Sequence, residues 1–259
     1  MMAFSRLIVN ADGLGISNTV NRAILESIES GLVTSTSIMA NMPGFEDAVR
    51  LLREHGAVNM RVGVHLNLTA GYPLSRAILD CPRFCNDNGG FIYDRNRWLF
   101  RLNHSEKRAV YEEMKAQIEK VLDAGIVPTH LDSHHHLHTW WGVAPLVCRL
   151  GREYGVARIR LTRNIGRPPA LAKRIYKALF NKWRLGNRQD FRNTDYFGGI
   201  EDVNVFSRDH RLNGKTMEIM VHPLFNEEGE LVDHDHQNLY GRLWTILEKQ
   251  PALSLSANF

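Results

Sequence analysis

The sequence predicts an α/β protein assembled from parallel βα units, and three observations carry that expectation. Short apolar runs of strand length alternate with stretches whose apolar residues recur at helical spacing. Residues that favour helix starts follow the runs, and glycines stand where the helices have to end. Four candidate functional groups, Asp12, His65, the cluster around His134, and His222, fall at or near the carboxyl ends of the strands so predicted.

Residues 6–12 read as a buried strand that ends in polar residues, followed by a Gly13-Leu14-Gly15 turn. Ser17 or Asn18 then caps a helix whose apolar face holds Val20, Ile24 and Ile28, with Gly31 at its end. A strand over 34–40 leads past Pro43 into a helix with Ala48, Val49 and Leu52 inward, closing at Gly56, and a third strand covers 61–68. The alternation is interrupted between Gly71 and Asn103, so an inserted loop or subdomain is expected near 70–104, long enough to cover a site. Ser105 is placed to cap a long helix with Val110, Met114 and Ile118 on one face, stopped by Gly125. Beyond it come a strand into the histidine cluster, a helix over 143–154, a strand over 157–162 and a basic helix over 170–184 carrying Leu171, Ile175, Ala178 and Leu179 on one side. Residues 186–212 resist assignment. A strand over 216–221 ends at His222-Pro223, a helix covers 235–249, and a last strand covers 252–256.

No linker or repeat breaks the chain, and its 259 residues suit a single domain over 1–259. The amino-terminal residues lack a signal peptide, and no run approaches the roughly 18 apolar residues of a membrane span, so a cytoplasmic protein is expected. The three cysteines do not suggest a disulfide framework. The net charge of +4 is concentrated between 167 and 192, where Arg167, Lys173, Arg174, Lys177, Lys182, Arg184, Arg188 and Arg192 face Asp190 alone. A solvated helix face is the ordinary meaning of such a run; an anionic substrate or peripheral membrane contact is the sharper one. No nucleic-acid-binding pattern accompanies it. A homodimer is expected on general grounds only.

The stretch from Thr129 to His138 holds five of the 12 histidines and Asp132 within ten residues. Imidazole is a common metal ligand and the side chain most easily poised as acid or base near neutrality, whereas a core gains little from several adjacent ones. The spacing fits neither a zinc finger nor His-Glu-x-x-His, and Gly13-Leu14-Gly15 lacks the lysine of a phosphate-binding loop. In a closed or nearly closed parallel barrel the carboxyl ends of the strands share one rim, which would bring Asp12, His65, His134 and His222 together. Such a set permits metal-assisted hydrolysis: imidazoles hold the ion, a carboxylate takes a proton from water, and another histidine protonates the leaving group.

At these residues the sequence resembles the YdjC-like carbohydrate deacetylases, the family that includes chitooligosaccharide deacetylase and hopanoid-pathway deacetylases. The similarity runs through Leu7-Ile8-Val9-Asn10-Ala11-Asp12, Ser35-Thr36-Ser37-Ile38-Met39, Val62-Gly63-Val64-His65-Leu66-Asn67-Leu68-Thr69, the Thr129–His138 stretch and Glu218-Ile219-Met220-Val221-His222-Pro223. The resemblance implies a TIM-like (β/α) barrel, complete or distorted, that removes acetyl groups from N-acetylated sugars with a divalent metal ion, Mg2+ or Zn2+. It makes His65 and His134 the metal-binding imidazoles, Asp12 the general base and His222 an acid or a polar group beside the leaving amine. His136 is the alternative to His134, because alternate residues of an extended segment share a face. Asp132 orients a ligand imidazole or is itself an alternative ligand. His130, His135 and His138 are supporting or exposed, and Arg160 and Asp195 are candidates for contact with the sugar or a carboxylate.

One departure stands out. The family motif Asn-Ala-Asp-Asp-Phe-Gly, whose second aspartate binds the metal, corresponds here to Asn10-Ala11-Asp12-Gly13-Leu14-Gly15. Three outcomes are open: Asp12 turns to the metal, a softer ion such as zinc is retained by imidazoles, or metal and activity are lost. Besides deacetylation, the sequence therefore admits a catalytically weakened sugar-binding member of the same fold. A metal-dependent phosphoesterase drawing on the basic segment is a further alternative.

Overall fold

A strand of alternating character sets the centre of the molecule. In β1 (Ser5–Leu14), Leu7, Val9 and Ala11 enter the apolar core, while Asn10 and Asp12 project to the other face with polar partners, as the period of two requires. The structure is a computed structural model that describes residues 5–55, 60–93, 101–165, 171–183, 185, 190–202, 214–234, 238–249 and 253–255.

β1 lies between β2 (Ser35–Ile38) and β6 (Thr216–Val221); β3 (Arg61–Leu66), β4 (Leu131–Ser133) and β5 (Tyr196–Gly199) complete the order β4-β3-β2-β1-β6-β5. All these pairings are parallel, and the six strands curl into a half-barrel. A short β9 (Leu253–Leu255) adds to the first residues of β1, and β7 (Pro223–Phe225) and β8 (Leu231–Asp233) form an antiparallel pair directly after β6. The register sets Asp12 beside Ser37 and His65 beside Asp132.

The connecting helices follow their sequence signals. Helix α1 (Asn18–Glu29) is capped by Ser17, whose Oγ accepts from Val20 N at 3.3 Å. Helix α2 (Phe45–Glu54) buries Ala48, Val49 and Leu52 as its spacing requires. A single turn, α3 (Arg76–Leu79), lies in the inserted segment after β3. The long α4 (His104–Asp123) starts at Asn103 rather than Ser105: Asn103 Oδ1 accepts from Glu106 N and Glu106 Oε2 from Asn103 N, a reciprocal box that Ser105 does not form. Helices α5 (Ala144–Glu153), α6 (Leu171–Trp183) and α7 (Leu239–Lys249) complete the set. The expected helix end at Gly56, Trp98 in the inserted loop, the basic residues Arg167, Arg184 and Arg188, and the start of the last helix at 235 lie outside the described residues.

Three expectations change. β1 does not stop before Gly13 but runs to Leu14 through a bulge, where the register with β2 slips between Asp12 and Leu14 and Gly13 takes φ +91°. The expected strand over 157–162 reduces to one parallel bridge between Leu131 and Ile159, with Leu131 N donating to Arg158 O at 2.9 Å and Arg160 N to Leu131 O at 3.0 Å. Its partner β4 is too short to extend the pairing, and the same segment leaves toward β5, where Asn164 N donates to Phe197 O at 3.0 Å. The histidine cluster is not extended: after Ser133 the chain winds into a 3-10 turn over His134–Thr139 in which His135 and His136 adopt left-handed φ near 52° and 56°. No helix among the described residues is long and apolar enough to cross a membrane.

Candidate active site

The polar face of the half-barrel carries a buried charged cluster organised by one guanidinium. Arg160, 2% exposed, donates from Nη1 and Nη2 to the two oxygens of Asp12 at 2.5 and 2.7 Å and from Nε to Glu218 at 2.7 Å; Nη1 also lies 2.8 Å from Asp132 Oδ2. Asn10 Nδ2 gives Asp12 Oδ1 a further donor at 2.8 Å. Burial alone would raise the Asp12 pKa, but the charge of Arg160 and its hydrogen bonds outweigh it and hold the carboxyl at about 2. Asp132 is likewise held well below the usual carboxylate range: burial opposes this, and Arg160 and His65 overcome it.

Asp132 also fixes His65. Its Oδ1 lies 2.9 Å from His65 Nδ1, while Ser37 Oγ donates to Asp132 Oδ2 at 2.9 Å and sits 3.1 Å from the same ring nitrogen. A carboxylate only accepts, so Nδ1 carries the proton and Nε2 of a neutral His65 keeps its lone pair. Burial lowers the proton affinity of this ring, yet the carboxylates of Asp132 and Asp12 raise it above the ordinary histidine value.

His134 is the next ring, its centroid 5.8 Å from that of His65 in an edge-on arrangement. Burial, helped by the neighbouring imidazoles of His65 and His135, pushes its pKa down to about 3, so it stands neutral with a lone pair to offer. It reaches this place because β4 ends at Ser133 and the tight turn redirects the following rings. His222, half-buried at the end of β6, is anchored through its backbone N to Asp233 Oδ2 at 2.8 Å and lies 6.3 Å from the His234 ring. It is near enough to His134 to contribute to that ring's lowered pKa.

The remaining candidates divide. Although the segment is not extended, His136 still faces the cluster: its ring packs edge-on against Phe197 at 5.8 Å, and its pKa falls to about 4 through burial and Arg160. His138 is buried, with Nδ1 2.7 Å from Ser133 Oγ. His130 lies flat against Gly63, where an added Cβ would come 2.4 Å from Nε2, so this glycine is what admits the ring. His135 is exposed and stacks on Tyr93 of the inserted segment at 4.1 Å, which brings that segment to the rim. Arg160 is not presented to solvent, as a sugar contact would require; it lies among three carboxylates. Asp195 is not brought to the rim either, because it accepts from Thr216 N at 3.0 Å at the start of β6, the opposite end of the strand from His222. Glu218, Ser37 and Asn10 were missed as site members. Their signal was a polar residue inside a strand that otherwise reads as buried.

Asp12, His65 and Asp132 offer ligand atoms within 4.8 Å of one another, a candidate metal group. Both oxygens of Asp132 already face donors on His65, Ser37 and Arg160, and both of Asp12 face Arg160, with Asn10 also on Oδ1, so a bond from either carboxylate to an ion would compete with these contacts. His65 through Nε2 when the ring is neutral, and His134, neutral at its lowered pKa, lie beside Asp12 and make a donor set that suits a divalent ion.

A model of the family described as YdjC-like protein matches residues 6–247. A carbohydrate deacetylase from Halalkalibacterium halodurans is 34% identical over 227 residues, covering 86% of each chain. One from Geobacillus stearothermophilus is 36% identical over 220 residues, covering 84% of this chain and 79% of its own. Among solved structures, an Enterococcus faecalis V583 protein named for cellobiose-phosphate cleavage superposes with a TM-score of 0.71 at 24% identity, over 98% of this chain and 97% of its own, a likeness of fold.

Proposed function

The chain belongs to the YdjC-like protein family, and from that premise we propose that it is a metal-dependent hydrolase removing an acetyl group from an N-acetylated sugar or saccharide conjugate. The observation that carries the reading is the pairing of two held groups: Asp132 fixes His65 through Nδ1 while Arg160 fixes Asp12 beside it. His65 and His134 would hold the ion. Two imidazoles suit zinc better than magnesium, which prefers an all-oxygen shell. When bound, the ion supplies Lewis acidity, lowering the pKa of water and polarising a carbonyl oxygen.

The protein's own groups do the rest. Asp12 receives the proton that the attacking water loses. Arg160 keeps it ionised at every physiological pH and also limits its basicity, so this contact sets how strongly Asp12 draws a proton. Asp132 keeps the His65 lone pair directed away from the carboxylate. His222, on the neighbouring strand end and close to His134, gives a proton to the departing sugar amine. On the reading that Gly13 takes the place of the second aspartate of the resembled Asn-Ala-Asp-Asp-Phe-Gly motif, Asp12 is the carboxylate left to serve the ion. We read 157–165, bonded to β4 at one end and β5 at the other, as the irregular side of a distorted TIM-like barrel within a single domain over 1–259.

The test is acetate release from a panel of N-acetylated mono- and oligosaccharides with zinc, cobalt, manganese or magnesium added. Release is expected with at least one ion and is lost in D12N, H65A and H134A. No release from any sugar under any ion rejects the reading.

A further inference from the structure

Helix α6 is turned the opposite way from an ordinary amphipathic helix. Its inward side is made by Phe180, 2% exposed, by Asn181, whose Oδ1 accepts from Thr162 N and Oγ1 at 2.9 and 2.7 Å, and by Lys177, whose Nζ donates to Arg163 O at 2.6 Å. Its apolar side points outward, with Leu171 68%, Ile175 51% and Leu179 39% exposed. These three recur at i, i+4 and i+8 and so form one stripe along the helix. Tyr176, 51% exposed, widens the stripe, and its ring stacks on Trp141 at 6.5 Å. Trp141, itself 47% exposed, follows the histidine-bearing turn by two residues. A patch of this kind on a protein surface marks an interaction site.

Charge says what kind of partner it takes. The helix contains no aspartate or glutamate, and Arg174 and Lys182 are exposed beside the stripe. Exposed leucine, isoleucine and aromatic side chains bordered by lysine and arginine are what a helix lying in the plane of an anionic lipid surface presents: apolar groups enter the acyl boundary and cations meet the headgroups. A second copy of the chain would bring the same cations against one another, as an isologous contact requires.

We propose that the exposed face of α6, with Trp141, docks the protein on an anionic lipid surface, independently of the hydrolytic reaction. The full chain is mixed with phosphatidylcholine vesicles, with and without phosphatidylglycerol, and the bound fraction is read by flotation. Binding is expected only with phosphatidylglycerol and weakens as salt rises. L171E combined with I175E, and separately R174E combined with K182E, each lower partitioning by about tenfold or more. These side chains are exposed, so circular dichroism and the melting temperature stay at the wild-type values. W244E, which alters an exposed tryptophan on α7, leaves partitioning unchanged. Equal partitioning with and without phosphatidylglycerol overturns the proposal, as does no binding to either vesicle. So does a dimer in solution that L171E with I175E converts to monomer while vesicle binding stays absent.

Discussion

Arg160 grips Asp12 in a bidentate contact at 2.5 and 2.7 Å across 148 positions of sequence, and the same side chain also meets Asp132 and Glu218. Arg160 is the main cause that holds Asp12 and Asp132 ionised, and Glu218 is buried against the same cation. Arg160→Met should destabilise the protein by about 3–5 kcal/mol, the cost of leaving buried charges without their partner. Arg160→Lys should recover only part of this, since an ammonium cannot make the planar two-point contact. Urea denaturation at neutral pH measures both losses. Equal stability of all three proteins would mean that the clamp is not what holds the cluster.

Acid should unfold this protein from an unusually high pH. His130, His134 and His136 are held near 3, 3 and 4, and His138 well below its ordinary value, each chiefly by burial. A histidine whose pKa is depressed on folding contributes stability that is complete above the unfolded value of about 6.5 and is lost as pH falls below it. Each contributes a slope of about 1.4 kcal/mol per pH unit in that window, so the four together act over the range from about 6.5 to 4. Asp12 adds a further loss only between 3.8 and about 2. His65 works in the opposite sense: its raised pKa favours the folded state below about 6.5, and that contribution fades as pH rises through the folded value. Stability measured from pH 7.5 to 4.5 should fall steeply, and H136Q should reduce the slope by about one proton.

Much of this site could be read from the chain because apolar runs ending in polar residues mark the strand ends: Asp12, His65 and His222 lie where β1, β3 and β6 finish or just beyond. Arg160 was legible only as a candidate for contact with the sugar or a carboxylate; its burial and its three partners were not, because only the meeting of β1, β4 and β6 supplies Asp12, Asp132 and Glu218. The turn at His135 and His136 was hidden for a related reason. Nothing local demands left-handed backbone from two non-glycine residues; the strain is tolerated where the surrounding packing fixes the rings. On α6 the apolar spacing was legible but its direction was not, because Thr162 and Arg163, which lie before the helix in sequence and outside it, bind Asn181 and Lys177 and so select the polar side as the inward one.

Asp132 and His65 offer a test of metal binding that leaves the ligands in place. In D132N the side-chain amide can present either its oxygen or its NH2 to Nδ1, so the His65 tautomer is no longer fixed and the negative charge behind the ring is gone. Zinc affinity, measured by competition with a chelating dye, should fall by about 10- to 100-fold. The outcome that counts against this arrangement is unchanged zinc affinity in D132N together with unchanged affinity in H65A.

Gly13 decides what a carboxylate at that position can do. Its φ of +91° is one that side-chain-bearing residues rarely adopt, and an added Cβ would come 2.6 Å from Ile16 Cδ1, the movable end of a flexible chain. Backbone strain therefore dominates over crowding, and G13A and G13D should each lose about 1–3 kcal/mol in the absence of metal. The two should separate when zinc is added. Only the aspartate brings a further ligand toward His65 and His134, so its melting temperature should rise with zinc by more than that of the wild type or of G13A. Equal zinc-induced shifts in G13A and G13D would place position 13 away from the ion and leave Asp12 as the carboxylate that serves it.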